Sequence, residues 1–490
     1  MSSEQVLLRR GLYADSVTLL QVSRQVGQAA GVQAALVGMA TELNLEMLAG
    51  MGFEPPASQS PNELFIAVRA GDQQAVEDAA QLAERLLSAP SRSTGAAAAE
   101  QPPRTIGSAA ASTGAGLALI SVPGQHAFTE AMDALEAGCD VLVFSDNVSL
   151  AQEIQLKDAA AERGLLVMGP DCGTAVIGGL GLGFSHTLER GPVGLVAASG
   201  TGAQQVLCLL DAAGVGVSAA LGVGGRDLSA EVAGRSTLAA LRMLDADPGT
   251  ELILVVSKPP AASVAERVRQ VADGLATPVR FALLGPGQPD LTQATETVLA
   301  ELGAPAPTWP SWVAQPPGSG QARSGALRGL FCGGTLCDEA MLIASAELGE
   351  VRSNIPLRPD WALDATLRWP GHLMIDFGDD ALTQGRAHPM IDPSLRDRRL
   401  AELLEDPDTA VVLLDVVLGH GSHPDPVAEL LPLLAGTTTP VVVSLIGARR
   451  DPQSLEASAR RLHQAGASVF TSNAAATRHA LSLIATGGRP

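Results

Sequence analysis

The chain has 490 residues, with 32 Lys+Arg against 52 Asp+Glu and a formal net charge of −20. A surface that acidic repels phosphate backbones and anionic lipid, which argues against nucleic acid and membrane as partners. Hydrophobic residues reach 46% and charged ones only 17%, enough apolar surface for several cores and too much for a disordered chain.

Short β-rich runs ending in glycine or a polar turn predict strands at Ala34–Gly38 and Glu63–Val68, in a first α/β domain over residues 1–90. Residues 89–103, rich in Ala, Ser and Pro, read as a flexible connector. Strands at Gly116–Ser121, Val141–Phe144 and Leu165–Met168, with a helical pattern at Ala127–Ala137, fill residues 104–190. Strands at Gly194–Ala197, Val217–Leu221, Leu252–Val256 and Val279–Leu283, with a helix at Gly202–Ala213, fill residues 191–303. A second connector, residues 304–325, is rich in Pro, Gly and Ser. The last domain, 326–490, adds Arg328–Phe331, His372–Asp376, Val411–Asp415, Val441–Ser444 and Ser468–Phe470. Continuous apolar strands alternating with amphipathic helices are the mark of parallel sheets buried on both faces. The expected class is therefore α/β, in several open parallel-sheet units. No apolar run reaches the ~18 residues of a membrane span, and the start, MSSEQVLLRRGLY, has no signal-peptide core. The five cysteines are scattered without a CxxC pair, as expected of a reducing, cytoplasmic compartment.

An internal repeat points to a site. GLVAASGTGAQQVL from Gly194 and GLFCGGTLCDEAML from Gly329 each run strand, small-residue turn, helix. Such turns leave backbone N–H groups unsatisfied at a helix start, where the dipole also favours negative charge. Ser199, Gly200 and Thr201, with Gly333, Gly334 and Thr335, are thus candidate phosphate-binding residues; the alternative is two ordinary N-caps. A Walker A loop is absent, and neither turn supplies a lysine.

The chain has only eight histidines, so their neighbours are informative. His420 and His423 stand in DVVLGHGSHPDP, just beyond an apolar strand, with Asp415 before them and Asp425 after. His388 stands in GRAHPMIDP, beyond a second strand end. All three are candidates for proton transfer; for His420 and His423 substrate orientation and, as a lesser option, a metal are also open, and the alternative for that pair is a loop tied down by His side chains bonding backbone. Arg386 could clamp a carboxylate bidentately; Asp376, Asp379 and Asp380 could orient donors, the alternative being solvated loop acids. No metal-ligand spacing is present. Cys172 has no histidine near it in sequence to make it a nucleophile.

GPDCGTAVIGGLGLGF, GPVGLVAASGTGAQQV and GVGGRDL together resemble the α-subunit of succinyl-CoA synthetase, and the last domain resembles the ligase domain of its β-subunit. Along nearly its whole length the chain is more similar to the FdrA family, on RRGLYADSVTLL, GPDCGTA, SGTG, FCGGTLC, HPMIDP and DVVLGHGSHPDP. The resemblance implies a Rossmann-like CoA-binding-type domain and two flavodoxin-like ligase-type domains. In the synthetases a histidine is phosphorylated between the two helix starts; here none occurs between His186 and His372, and no ATP-grasp domain supplies a phosphate donor. What the FdrA resemblance implies is a subunit of oxamate carbamoyltransferase, exchanging oxalurate and phosphate for oxamate and carbamoyl phosphate in purine and allantoin breakdown. Companion subunits are the implied partners, phosphate or carbamoyl phosphate the substrate, and no cofactor is required. The alternatives are a CoA-dependent ligase or transferase that kept CoA, and a non-catalytic anion-binding scaffold.

Overall fold

The computed structural model describes residues 3–10, 12, 14, 16–56, 60, 63–88, 103–314, 322–383 and 387–485. Of these, the residues up to Ser88, with Ala387, form one compact unit, and residues 103–314, 322–383 and 388–485 another.

The first unit is a three-stranded sheet in which Leu64–Ala70 lies between Ser3–Arg9 and Val32–Met39. The period of two decides its layers. Leu64, Ile66 and Val68 face a core with the helices Ser16–Gly27 and Gln73–Ser88, while Phe65 and Ala67 face Leu48 of the helix Glu42–Gly50. Both pairings are antiparallel, unlike the parallel sheet expected. Ser3–Arg9 was not expected as a strand, because this edge segment is partly exposed and lacks a continuous apolar run.

The second unit contains three sheets. Leu117–Ile120, Asp140–Val143 and Val167–Met168 make a small parallel one. A six-stranded sheet runs Val279–Leu283, Leu252–Ser257, Arg190–Ala198, Val217–Gly222, Thr174–Ile177, Leu180–Gly183, its first four strands parallel. The hairpin Thr174–Gly183 thus belongs to this sheet, so the boundary expected at 190 falls before Thr174. Its strands have four residues each and the outer one is half-exposed, too weak a pattern to read.

A seven-stranded sheet runs Ser311–Trp312, Ser468–Phe470, Val441–Ile446, Thr409–Val417, Ala326–Phe331, Leu373–Asp376, Arg352–Ser353. Ser311–Trp312 lies within the expected connector and adds an antiparallel edge. Four helices, Gly200–Ala212, Leu291–Glu301, Gly334–Leu348 and Asn473–Ser482, share one apolar core with residues of both larger sheets. All of Thr201–Asp211 is accordingly buried. Among the described residues no helix is long and apolar enough to cross a membrane.

Candidate functional site

The two repeat turns meet. Arg190–Ala198 ends at Ser199, the N-cap of Gly200–Ala212, and Ser199 Oγ accepts the Gly202 N–H at 3.0 Å. Ala326–Phe331 ends one residue before Cys332 and Gly333, and Gly333 is the N-cap of Gly334–Leu348. Ser199 Oγ then donates to Thr335 Oγ1 at 2.6 Å, a direct hydrogen bond between the repeats. The contact is reciprocal. A Cβ on Gly202 would lie 2.9 Å from Thr335 Cγ2, and one on Gly333 would overlap the Thr201 side chain. Each repeat therefore presses its threonine onto the other's glycine, and two helix starts come to lie side by side.

Sheet register brings further groups to the same edge. Ser257 pairs with Ala198, so Ser199 and Lys258, the residues that follow, leave the sheet together. Asp376 pairs with Phe331 and so ends beside the second turn. Lys258 Nζ and Asp376 Oδ2 lie 2.7 and 2.8 Å from where a Cβ on Gly334 would stand. Burial alone pulls the Lys258 ammonium down, but Asp338, Asp376 and Asp171 outweigh it and hold its pKa above the usual lysine value. Burial pushes Asp376 up to about 7 and Asp338 up to about 6, in each case against the lowering field of Lys258. Asp376 is held by Gly378, whose N–H donates to Oδ1 at 2.9 Å, and by Asn354, which bonds its backbone N–H and C=O.

His388 joins this cluster. Its Nδ1 accepts the Met390 N–H at 3.2 Å, and its ring packs on Phe184 with centroids 5.4 Å apart. Burial pulls its pKa down to about 4, so the ring is neutral with its proton on Nε2. That Nε2 and Asp376 Oδ1 lie 2.9 and 3.2 Å from the position of a Cβ on Gly378. Asp376 thus stands between Lys258 and His388. With its only lone pair accepting from Met390, His388 is a donor, while Asp376 is the group able to take and return a proton near neutrality.

The other two candidate histidines are engaged elsewhere. His423 is buried; its Nδ1 accepts the Asp425 N–H at 3.0 Å and its Nε2 stands 3.5 Å from Glu429 Oε1. His420 is exposed and bonds Thr187 Oγ1 at 3.1 Å, while its backbone bridges Ser185. Together they fasten the loop after Thr409–Val417, the alternative weighed from sequence. Asp415, fully buried, accepts the Cys332 N–H at 2.7 Å and so shapes the turn before Gly333. Arg386 lies outside the described residues. Burial pushes the Cys172 thiol up to about 12, which leaves it unreactive.

Lys258 was not among the residues singled out from sequence, although a signal existed. The chain contains only two lysines, Lys157 and Lys258, all its other basic side chains being arginine.

The sheet pair and its twin helix starts define an α/β protein built on parallel sheets. A family model described as CoA-ligase matches residues 330–483, and one described as AllF, heavy metal-associated domain, matches residues 1–103. Uncharacterized protein YahF of Escherichia coli (strain K12) is 37% identical over 96% of this chain and 96% of its own, and the chain belongs to the same family. The succinate–CoA ligase [ADP-forming] α-subunit of Aquifex aeolicus is 29% identical, over 31% of this chain and 51% of that one. The malate–CoA ligase α-subunit of Methylorubrum extorquens is 26% identical, over 36% and 60%. Residues 1–103 contain neither cysteine nor histidine, so no thiolate or imidazole ligand stands in the segment that matches.

Proposed function

We propose that the chain is a transferase subunit that passes an acyl group to or from phosphate, with the anion held between the two helix starts. The observation that carries this is the Ser199–Thr335 hydrogen bond, which sets two helix N-termini side by side, the second with Lys258 Nζ at its first residue, Gly334. The motifs shared with the FdrA family favour the carbamoyl group as the cargo, in the cytoplasm and with companion subunits. In that reaction a phosphate oxygen attacks the carbamoyl carbon of oxalurate, and the bond from that carbon to the oxamoyl nitrogen then breaks. The proton lost by phosphate goes to the departing nitrogen, giving carbamoyl phosphate and oxamate. Asp376 is suited to carry that proton, since its carboxyl titrates at about 7. The His388 Nε2–H and the first-turn N–H groups at Gly200, Thr201, Gly334 and Thr335 would meet the charge on the tetrahedral oxygen.

A second reading, CoA-linked acyl transfer, is favoured by the CoA-ligase match and the succinate– and malate–CoA ligase relatives. Thermal unfolding of the purified chain with phosphate, carbamoyl phosphate, oxamate or CoA, each alone, separates the two. A specific ligand at 100 times its Kd adds about 2.7 kcal/mol of stability. Stabilisation by carbamoyl phosphate and phosphate is expected; stabilisation by CoA alone would overturn the carbamoyltransferase assignment.

A further inference from the structure

We propose that Lys258 is the cation that neutralises the anion bound between the two helix starts, an assignment that rests on the phosphate-dependent transfer proposed above. The two lysines of this chain have opposite surroundings. Lys157 donates to Glu153 Oε1 at 2.8 Å, Asp227 Oδ1 at 2.8 Å and the Val223 carbonyl at 2.9 Å, so all three ammonium hydrogens are spent inside the protein. Lys258 makes no ion pair within 4.0 Å among the described residues, though three carboxylates keep it charged.

A second unspent donor stands on the next residue of the same helix start. Thr335 is 1% exposed and its hydroxyl accepts from Ser199, yet its own proton has no acceptor among the described residues. The chain of donors therefore runs from Gly202 N–H through Ser199 to Thr335 and ends there. An unspent ammonium, an unspent hydroxyl and the free N–H groups of a helix start all lie at the first turn of Gly334–Leu348. Glycine at 334 is what leaves Lys258 its place, since a Cβ would stand 2.7 Å from Nζ. Such a set of donors suits a multivalent oxyanion, a phosphate or an acyl phosphate, better than a single carboxylate. A lysine fits where an arginine would not: its compact charge on a flexible stem can follow an oxygen as that oxygen turns from free to bridging.

With only two lysines, protein labelled with 13C and 15N at lysine gives two side-chain signals, and Lys258→Arg assigns them by removing one. Phosphate and carbamoyl phosphate are titrated in turn, with calorimetry on the same samples. The Lys258 signal should move and the Lys157 signal stay, while Lys258→Met weakens phosphate at least tenfold. Heat of binding with an unmoved Lys258 signal, or with an unchanged affinity in Lys258→Met, would overturn the role of Lys258 and leave the transferase assignment standing. No binding of either anion by the unaltered protein would overturn both. The signal is read in the unaltered protein and assigned with the charge-conserving Lys258→Arg, so a Lys258→Met that fails to fold does not blunt the test.

Discussion

Gly333 and Gly202 are the residues on which the two repeats close, each receiving the other's threonine. Gly333→Ala should cost about 1–3 kcal/mol, as overpacking of a tight contact does. Denaturant titration checks this, and the variant should also lose the phosphate response. Asp376 carries a pH prediction. Its carboxyl ionises at about 7 in the fold against 3.8 unfolded, so the unfolded chain loses the proton first and stability falls as pH rises between those values. Asp376→Asn should remove its part of that slope in thermal melts and, in the transfer proposed above, make turnover less dependent on pH around 7. The glycines and threonines of the turns were legible in the sequence because the repeat displays them twice. Lys258 was marked in the sequence only by the rarity of lysine, and its place in the site followed once its strand lay beside Ser199.

At the scale of elements, the helix starts hold the site. Ser199→Ala removes both the N-cap bond to Gly202 and the link to Thr335. A loss of about 1 kcal/mol is expected from the cap alone, read as a lower denaturation midpoint. A parallel device holds a neighbouring helix. Glu339, buried, accepts the Leu291 N–H at 2.7 Å and an N–H of Asn473 at 2.7 Å, tying the starts of Leu291–Glu301 and Asn473–Ser482 to Gly334–Leu348. Long parallel strands such as Thr409–Val417, buried throughout, could be read from their apolar runs. The edge strands Ser3–Arg9, Ser311–Trp312 and Arg352–Ser353 could not, being short or half-exposed and defined by pairing.

Across the second unit, polar ties join its two large sheets around the shared helix layer. Asp451 accepts from His186 Nδ1 at 2.6 Å, from the Thr187 N–H at 2.9 Å and from the Ala448 N–H at 2.7 Å. Arg449 bonds both carboxylate oxygens of Asp211 on the helix Gly200–Ala212. Asp451→Ala strands two buried donors and the half-buried Thr187 N–H at once, and a loss of about 3 kcal/mol is expected, the scale of breaking a buried pair. Urea unfolding measures it; a loss below 1 kcal/mol would show that water replaces the carboxylate. These ties span more than 260 residues in the case of His186 and Asp451, which is why no local pattern announced them.

By itself the sequence determined the α/β class, the parallel order of most strands in the two large sheets and the two repeat turns as helix starts. Each follows from local chemistry: apolar runs must be buried, and a small-residue turn between strand and helix exposes N–H groups. Only the tertiary structure decided which groups share the site. Register set Lys258 beside Ser199 and Asp376 beside the second turn, and packing brought His388 to Asp376 while loop contacts took up His420 and His423. Strand register and long-range packing join residues far apart in the chain, and they arise only when the sheets form.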